Sequence, residues 1–561
     1  MSSVYTQLED YLIKAGFEGK IDSSRDTRTQ YASDESIFYL EPELVLFPLH
    51  TQDIIRTVTS IQSLNTNAFP LHLTPRGAGT GLTGGSLNDG VIIDTHTNLH
   101  AIINEELNDD GIIYECDPGV LYRDLEEVMD KAGVYIPSYP ASKDMCTIGG
   151  MVANNAAGAH SYRYGQTAQY VRALNVILAD GIEYHIRPLS WDEFQVELKR
   201  DDLLGEIYRH IWELCLHHEE LIIKARPQVR KNSAGYALWD VVSTTVEEFM
   251  QNRGVFDLTQ IFSGSQGTLG IISRIWVQAI PKEEDTSLVA ISLNDVSRAG
   301  EILTHLSKYH PIDIEIFDGA TYRRAQKRMD YFKQELSSED YRLFHTSLRK
   351  HYNFKLMRRI PAYILLVTLP ADEASFAHKL VAEISRNYKT RAHQITDPGE
   401  GAMLWQIRSA AYSLSKLAYP DKRPAPFLED MAVPPARFGD FLYGIRELFD
   451  KYDVEALVYG HAGNGHLHFY PLIDFTQANT VENIQVMAQE FFALATSLGG
   501  SICGEHNDGI IRTPYLDTMF SKEVLEIFSK LEQVCDPNDI FNPGKKVRPR
   551  FKLKDVIRHC N

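Results

Sequence analysis

At 561 residues, the chain is long enough for two or more packed units, and its 44% hydrophobic and 23% charged residues match a soluble globular protein. No apolar run reaches the length of a membrane span, and a formal charge of −19 works against nucleic acid as a partner. The six cysteines are scattered without a C-x-x-C pair, which excludes a disulfide framework and an iron–sulfur cluster and leaves any electron chemistry to another cofactor.

The opening MSSVYTQLEDYLIKAGFEGK is amphipathic and acidic, without the basic start and apolar run of a secretory signal, and predicts a cytoplasmic protein. In LVLFPLHTQDIIRTVTSIQSLN a buried strand leads into a helix from Thr51, with Ile54, Ile55, Val58 and Ile61 on one face. A strand at HLTP follows. The short apolar runs GVIIDT, IIYECDPGV and VRALNVILADG then alternate with helical stretches such as YRDLEEVMDKAG up to Pro281, as in a mixed α/β unit. A second unit begins near Glu283 with a strand and helix in SLVAISLNDVSRAGEILTHLSK, and has further strands in PIDIEIFD and AYILLVTLP. Residues 327–355 lack glycine and proline and read as a helical insertion.

Three glycine clusters punctuate the first unit. Pro75-Arg76-Gly77-Ala78-Gly79-Thr80-Gly81-Leu82-Thr83-Gly84-Gly85-Ser86 directly follows a predicted strand, and backbone N–H groups freed of Cβ obstruction can converge there on a pyrophosphate. The loop lacks the Gly-Lys-Ser/Thr of a Walker loop and the helix start of a Rossmann fingerprint. The second cluster runs from Thr147 through Gly149, Gly150, Asn154 and Gly158 to Tyr164-Gly165, with side chains small enough for backbone to lie flat on a planar ring. The third, Ser263-Gly264-Ser265-Gln266-Gly267-Thr268-Leu269-Gly270-Ile271-Ile272, enters a buried strand.

In order and spacing these segments resemble the FAD domain of the vanillyl-alcohol-oxidase/para-cresol-methylhydroxylase flavoproteins over residues of about 40 to 280. The resemblance implies an α+β protein, with a PCMH-type FAD-binding domain of two subdomains at 1–283. Residues 284–561 would form an α+β, ferredoxin-like substrate cap whose terminal segment returns to the FAD domain. It further implies that the first loop holds the FAD pyrophosphate and the second lines the isoalloxazine. The cofactor contacts it assigns are Pro75, Arg76, Gly77, Ala78, Gly79, Thr80, Gly81, Leu82, Ser86, Pro140, Thr147, Gly149, Gly150, Asn154, Gly158, Ile272 and Asn542. No histidine stands between Arg76 and Ser86 to tether the flavin, so FAD is expected to be non-covalent.

The C-terminal part contains Gly460-His461-Ala462-Gly463-Asn464-Gly465-His466-Leu467-His468 and, later, Gly504-Glu505-His506-Asn507-Asp508-Gly509. Imidazole and carboxylate suit zinc, manganese or iron, and His466 and His468 share one face of a strand. These segments resemble the FAD-linked oxidase C-terminal family of D-lactate, glycolate and D-2-hydroxyglutarate dehydrogenases, from about residue 285 to Asn542-Pro543-Gly544-Lys545. By matching positions, His461, His468 and Glu505 would bind the metal, His506 would act as general base, neutral near pH 7, and Arg408 would hold the substrate carboxylate. Asn464 replaces the usual aspartate, His466 the usual asparagine and Asn507 the usual glycine, which leaves open whether His466 joins the ligands.

The resemblance thus implies FAD-dependent, metal-assisted oxidation of a small 2-hydroxy acid. An alkylglycerone-phosphate-synthase-like flavoprotein without net oxidation and a non-catalytic electron-transfer subunit are the alternatives. A quinone, an electron-transfer flavoprotein, an iron–sulfur protein and oxygen are all open as electron acceptors. Lys422 and Arg423 precede Pro426-Phe427-Leu428-Glu429-Asp430-Met431-Ala432-Val433-Pro434, which resembles a family strand facing the active site but lacks the substrate-binding lysine that some members place there. That strand and GEHND look closest to longer relatives that continue into an iron–sulfur domain. The basic stretch Lys545 to His559 reverses the sign of the chain, and is expected to be a solvated tail whose lysines and arginines pair with acidic residues on the protein's own surface, or a docking site for an acidic partner or the inner face of a membrane.

Overall fold

The computed structural model describes residues 4–65, 70–283, 286–353, 360–370, 374–417, 422–477 and 479–557. Strands Leu44–Phe47, Val91–Asp94 and Leu73–Arg76 lie side by side in parallel, with Lys20–Asp22 antiparallel at one edge. Parallel neighbours need a crossover, supplied by helix Thr51–Leu64, whose Ile54, Val58 and Ile61 pack on Leu44, Leu46, Leu73, Val91 and Ile93. The second sheet is antiparallel, in the order Ile102–Asn108, Gly111–Cys116, Ile271–Pro281, Val171–Ile177, Glu183–Ile186, with Val134–Tyr135 also paired to the long strand. The third glycine segment feeds directly into that central strand.

Strands Ser287–Leu293, Asp313–Asp318, Tyr363–Leu369 and Arg391–Ile395, with helices Ala299–Leu306 and Ala377–Tyr388, form a β-α-β-β-α-β unit, the ferredoxin-like arrangement. The predicted helical insertion lies within it as helices Met329–Glu335 and Ser338–Asn353, packed by stacking of Phe332 on Phe344; residues 354 and 355 fall outside the described ones. The hairpin Val458–His461/His466–Phe469 and then Met431–Ala432 extend this sheet from the edge of Asp313–Asp318, giving seven strands. The histidine-rich segment is therefore a sheet hairpin anchored on a buried strand.

The C-terminal stretch packs back on the first unit. Phe541 bridges Leu73 in parallel, and Val556 O accepts from the Tyr39 N–H. Its basic residues are not a free patch. Buried Lys545 donates to Leu87 O and Asn542 Oδ1, and buried Lys546 pairs with Asp508 at 2.6 Å. Arg548 pairs with Glu532 and Asp539, and Arg550 with Asp89. Lys546, Arg548 and Arg550 are thus matched by acids of the chain, and the expectation of a solvated tail is corrected for Lys545 and Lys546, which are buried; Arg558 and His559 lie outside the described residues. No helix among the described residues is long and apolar enough to cross a membrane.

Candidate active site

The glycine segments converge. Gln266 N–H donates to Ala153 O, Gly264 N–H to Val152 O, and Gln266 Nε2 to Asn154 Oδ1, joining the second and third. Thr147 caps helix Ile148–Asn154 by accepting from Gly150 N–H, and a Cβ at Gly77 would strike its hydroxyl, which brings the first loop against the second. Buried Asn542 donates to Gly85 O and Gln266 O and accepts from Thr74, so it staples the loops together. Its amide has no group left over for a ligand, and any effect on a cofactor passes through the loops.

Arg76 needs a similar correction as a cofactor contact. Its buried guanidinium donates to Tyr31 O and Ser33 O beneath the loop, so it anchors the cradle from below. Gly149 and Gly158 are pressed on Pro118 and on Tyr139 O, next to Pro140, so neither position admits a side chain. Ile272 is a half-buried residue paired with Val176. What remains open fits a phosphate-bearing ligand. A Cβ at Gly81 would meet nothing, and the buried Ser86 hydroxyl has no partner. Pro75, Ala78, Thr80 and Leu82 belong to the same strand end and loop.

Gly79 is a position where the loop cannot take a side chain. It has φ of +72°, and a Cβ there would sit 2.5 Å from Arg76 Nη2. Gly79→Val should therefore both strain the backbone and dislodge Arg76. The expected outcome is purified protein without bound flavin; wild-type flavin absorbance in that variant would mean the cradle lies elsewhere.

Cross-strand register assembles the second half of the site. His461 lies opposite His466, Tyr459 opposite His468, and Gly460 opposite Ile316, so the buried carboxylate of Glu315 reaches His461 from the next strand. Glu315 Oε1 is 2.6 Å from His461 Nδ1, which fixes a proton there and aims the Nε2 lone pair inward. Burial would raise this carboxyl, but His461 and Arg408 hold it down at about 2.

Glu505 Oε1 is 3.5 Å from His461 Nε2 and 3.0 Å from His468 Nε2. A tetrahedral ion with bonds of about 2.0 Å would have ligand–ligand edges of about 3.3 Å. His461, His468 and Glu505, whose donor atoms all lie within 4.8 Å of one another, form a group that could hold one divalent ion. Among the described residues His468 Nδ1 has no hydrogen-bond partner, and Glu429 Oε2 lies 3.9 Å from it.

His466 shares the histidine face but is turned to other partners. Its Nε2 is 2.9 Å from Asp430 Oδ1 and its Nδ1 3.5 Å from the Lys231 ammonium. Burial first, then Lys231, pushes it down to about 3, so it is neutral, donates from Nε2 to Asp430, and buttresses the ligands. Asp430, itself at φ of +81°, also accepts from the Glu505 and His506 N–H groups and so sets the backbone of both.

His506 Nδ1 lies 2.6 Å from Glu429 Oε2, whose other oxygen pairs with Arg512 at 2.6 Å. Its Nε2 faces Glu505 Oε1 at 3.6 Å, leaving a carboxylate-oriented imidazole at the mouth of the cluster. Burial opposes the imidazolium, whereas the Asp430 and Glu429 carboxylates beside it raise His506 to about 9. Positive charge bound at Glu505 would act in the opposite direction.

Arg408 also departs from its expected place. Its Nε and Nη2 both donate to Glu315 Oε2, at 2.8 and 2.6 Å, and its plane covers Tyr459. The fork expected to take a substrate carboxylate is engaged by a protein one. The residues that sequence reading did not single out are Glu315, Glu429, Asp430, Lys231 and Arg512. The available signals were two acids alternating with isoleucines in DIEIFD, and the acid pair inside FLEDMAVP.

The two halves are joined. Asn507 Nδ2 donates to Asn154 O and Gly264 O, Gly509 N–H to Gln266 Oε1, and Ile510 N–H to Thr83 O, so the segment after Glu505-His506 is sewn onto all three glycine clusters.

Two families of known domains match parts of the chain. Residues 42–187 match the FAD binding domain family, and 282–546 match the C-terminal domain of FAD linked oxidases. A D-2-hydroxyglutarate dehydrogenase of Pseudomonas putida is 26% identical over 555 residues, 98% of this chain and 52% of that protein, so the chain spans about half the length of that relative. A Bacillus subtilis glycolate oxidase subunit GlcD is 25% identical over 96% of each chain. The solved 4-ethylphenol oxidase of Gulosibacter chungangensis shares the fold, with a TM-score of 0.65 over 98% of both chains at 14% identity. Two matched domains, in this order and around one assembled site, place the chain in the family of FAD-linked oxidases.

Proposed function

We propose that the chain is an FAD-dependent, metal-assisted dehydrogenase of a small 2-hydroxy acid of the D-lactate, glycolate or D-2-hydroxyglutarate type. The observation that carries this reading is that His461, His468 and Glu505 sit at ion-binding spacing beside a carboxylate-oriented His506, on a segment sewn to the glycine loops. The relatives named for hydroxy acids support the substrate class. In this reading residues 1–283 bind non-covalent FAD, 284–561 form the cap, and the electron acceptor is a separate molecule.

FAD bound along the glycine segments supplies the two-electron acceptor for the substrate α-hydrogen. A divalent ion held by His461, His468 and Glu505 supplies Lewis acidity toward the substrate hydroxyl. His506, aimed by Glu429, takes the hydroxyl proton at Nε2, and Glu429 with Arg512 behind it keeps the ring in the required tautomer. Arg408 and Glu315 hold His461 and so act behind the ligands.

The test is anaerobic titration of the flavoprotein with D- and L-2-hydroxy acids, reading flavin absorbance and 2-oxo acid. Bleaching by one stereochemical series with stoichiometric 2-oxo acid is expected. An oxidised spectrum against every acid would overturn the proposal and favour a flavoprotein without net oxidation.

A further inference from the structure

Among the buried charged groups around the site, Lys231 has no part in the chemistry described so far. It lies in the stretch that follows helix Leu203–Ala225, with no exposed surface. Its ammonium is 2.5 Å from Glu505 Oε2, 3.4 Å from Gly158 O and 3.5 Å from His466 Nδ1. An ammonium has three N–H donors, and these three acceptors match them, so none is directed at a substrate. Burying a lysine is costly unless it is paired, and here its pairing partner is the very carboxylate that would ligate the ion.

The two oxygens of Glu505 are thereby divided. Oε2 is held by Lys231, and Oε1 faces His461, His468 and His506 at 3.5, 3.0 and 3.6 Å. We propose that Lys231 is a positioning residue that keeps Glu505 a one-oxygen ligand and acts as a resident counter-cation, weakening the site's hold on the ion. This inference rests on the reading of His461, His468 and Glu505 as a metal site.

Two effects of removing the charge oppose each other. Without Lys231 the carboxylate loses the contact that aims Oε1, which disfavours ion binding. A divalent ion at Oε1 also lies within one carboxylate's width of the ammonium, in a buried setting where like charges repel strongly, and losing that repulsion favours binding. The contact is one hydrogen bond, whereas the repulsion involves a doubly charged ion in a buried site, so the second effect wins. A lysine with only a packing role would give the opposite sign, because its loss would loosen the ligands.

The ammonium also ties Gly158, in the second glycine cluster, to Glu505. Its removal should therefore slow flavin reduction through misalignment, lowering kcat more than it changes KM.

The experiment is zinc affinity by competition with a chromogenic chelator, on flavin-loaded wild type, Lys231→Met and Lys231→Gln. Gln keeps a donor for Glu505 without the charge, and serves if the Met variant folds poorly. Zinc should bind about tenfold or more tightly in the neutral variants, with flavin retained and a lower kcat. Unchanged or weaker zinc binding in the neutral variant that retains flavin overturns the Lys231 proposal. A wild-type protein that takes up no zinc, manganese or iron overturns the metal reading itself, and the Lys231 proposal with it.

Discussion

Replacing His506 with alanine is expected to lower the rate of flavin reduction by about 100- to 10,000-fold, the usual effect of deleting a general base, with flavin and metal content unchanged. The expectation comes from how the ring is held. Glu429 fixes Nδ1 as the protonated nitrogen, so Nε2 is the basic atom, and it points toward Glu505 and not toward bulk water. The ring lies 3.6 Å from Glu505 Oε1, but its Nδ1 is taken by Glu429, and metal content is therefore the measurement that separates base from ligand. Glu429→Gln should reproduce part of the rate loss, because an amide cannot stabilise the imidazolium that forms. It would also leave Arg512 buried without its nearest carboxylate, so that variant should be less heat-stable. Metal analysis of the His506→Ala protein decides between roles: full metal content fits a base, and loss of metal would make His506 a ligand.

His461→Ala and Glu505→Ala should each remove metal and activity together while the flavin remains. The ligands lie on the hairpin and on the segment at Glu505, whereas the loops of residues 75–86, 147–158 and 263–272 keep their own hydrogen bonds to one another. Glu315→Gln should have a graded effect, weakening metal affinity about 10- to 100-fold, since it removes the carboxylate that aims His461 without removing the ligand. Elemental analysis beside the flavin spectrum checks these outcomes. Flavin lost in step with the metal would instead mean that the cluster stabilises the fold.

The parts of this site readable from sequence are those concentrated in short segments. Three histidines within eight residues and an adjacent glutamate–histidine pair announce coordination chemistry, because flexible glycine spacing lets such donors meet. The strand and helix pattern was equally legible where it was local, as in helix Thr51–Leu64 or the unit from Ser287 to Ile395. What could not be read was pairing at a distance. Glu315 lies 146 residues before His461 and Lys231 lies 274 before Glu505, and neither sits in a pattern that singles it out.

Distance also explains the corrections. An arginine such as Arg408 reads as a free carboxylate fork until the sheet brings Glu315 to it. Likewise the sequence leaves open whether the basic C-terminal stretch pairs with the chain's own acids or with a partner's, until Asp508, Glu532 and Asp89 are found beside Lys546, Arg548 and Arg550. Charge counted along a chain does not show which charges are already matched in the fold.

The account turns on one flavin and one metal site acting on the same molecule. The direct measurement is the anaerobic flavin spectrum after addition of the active 2-hydroxy acid to native protein, to protein stripped of metal by a chelator, and to stripped protein resupplied with zinc or manganese. The account predicts bleaching of the native protein, an oxidised spectrum that persists after stripping with flavin still bound, and bleaching again after resupply. Bleaching of the fully stripped protein at the native rate would contradict it.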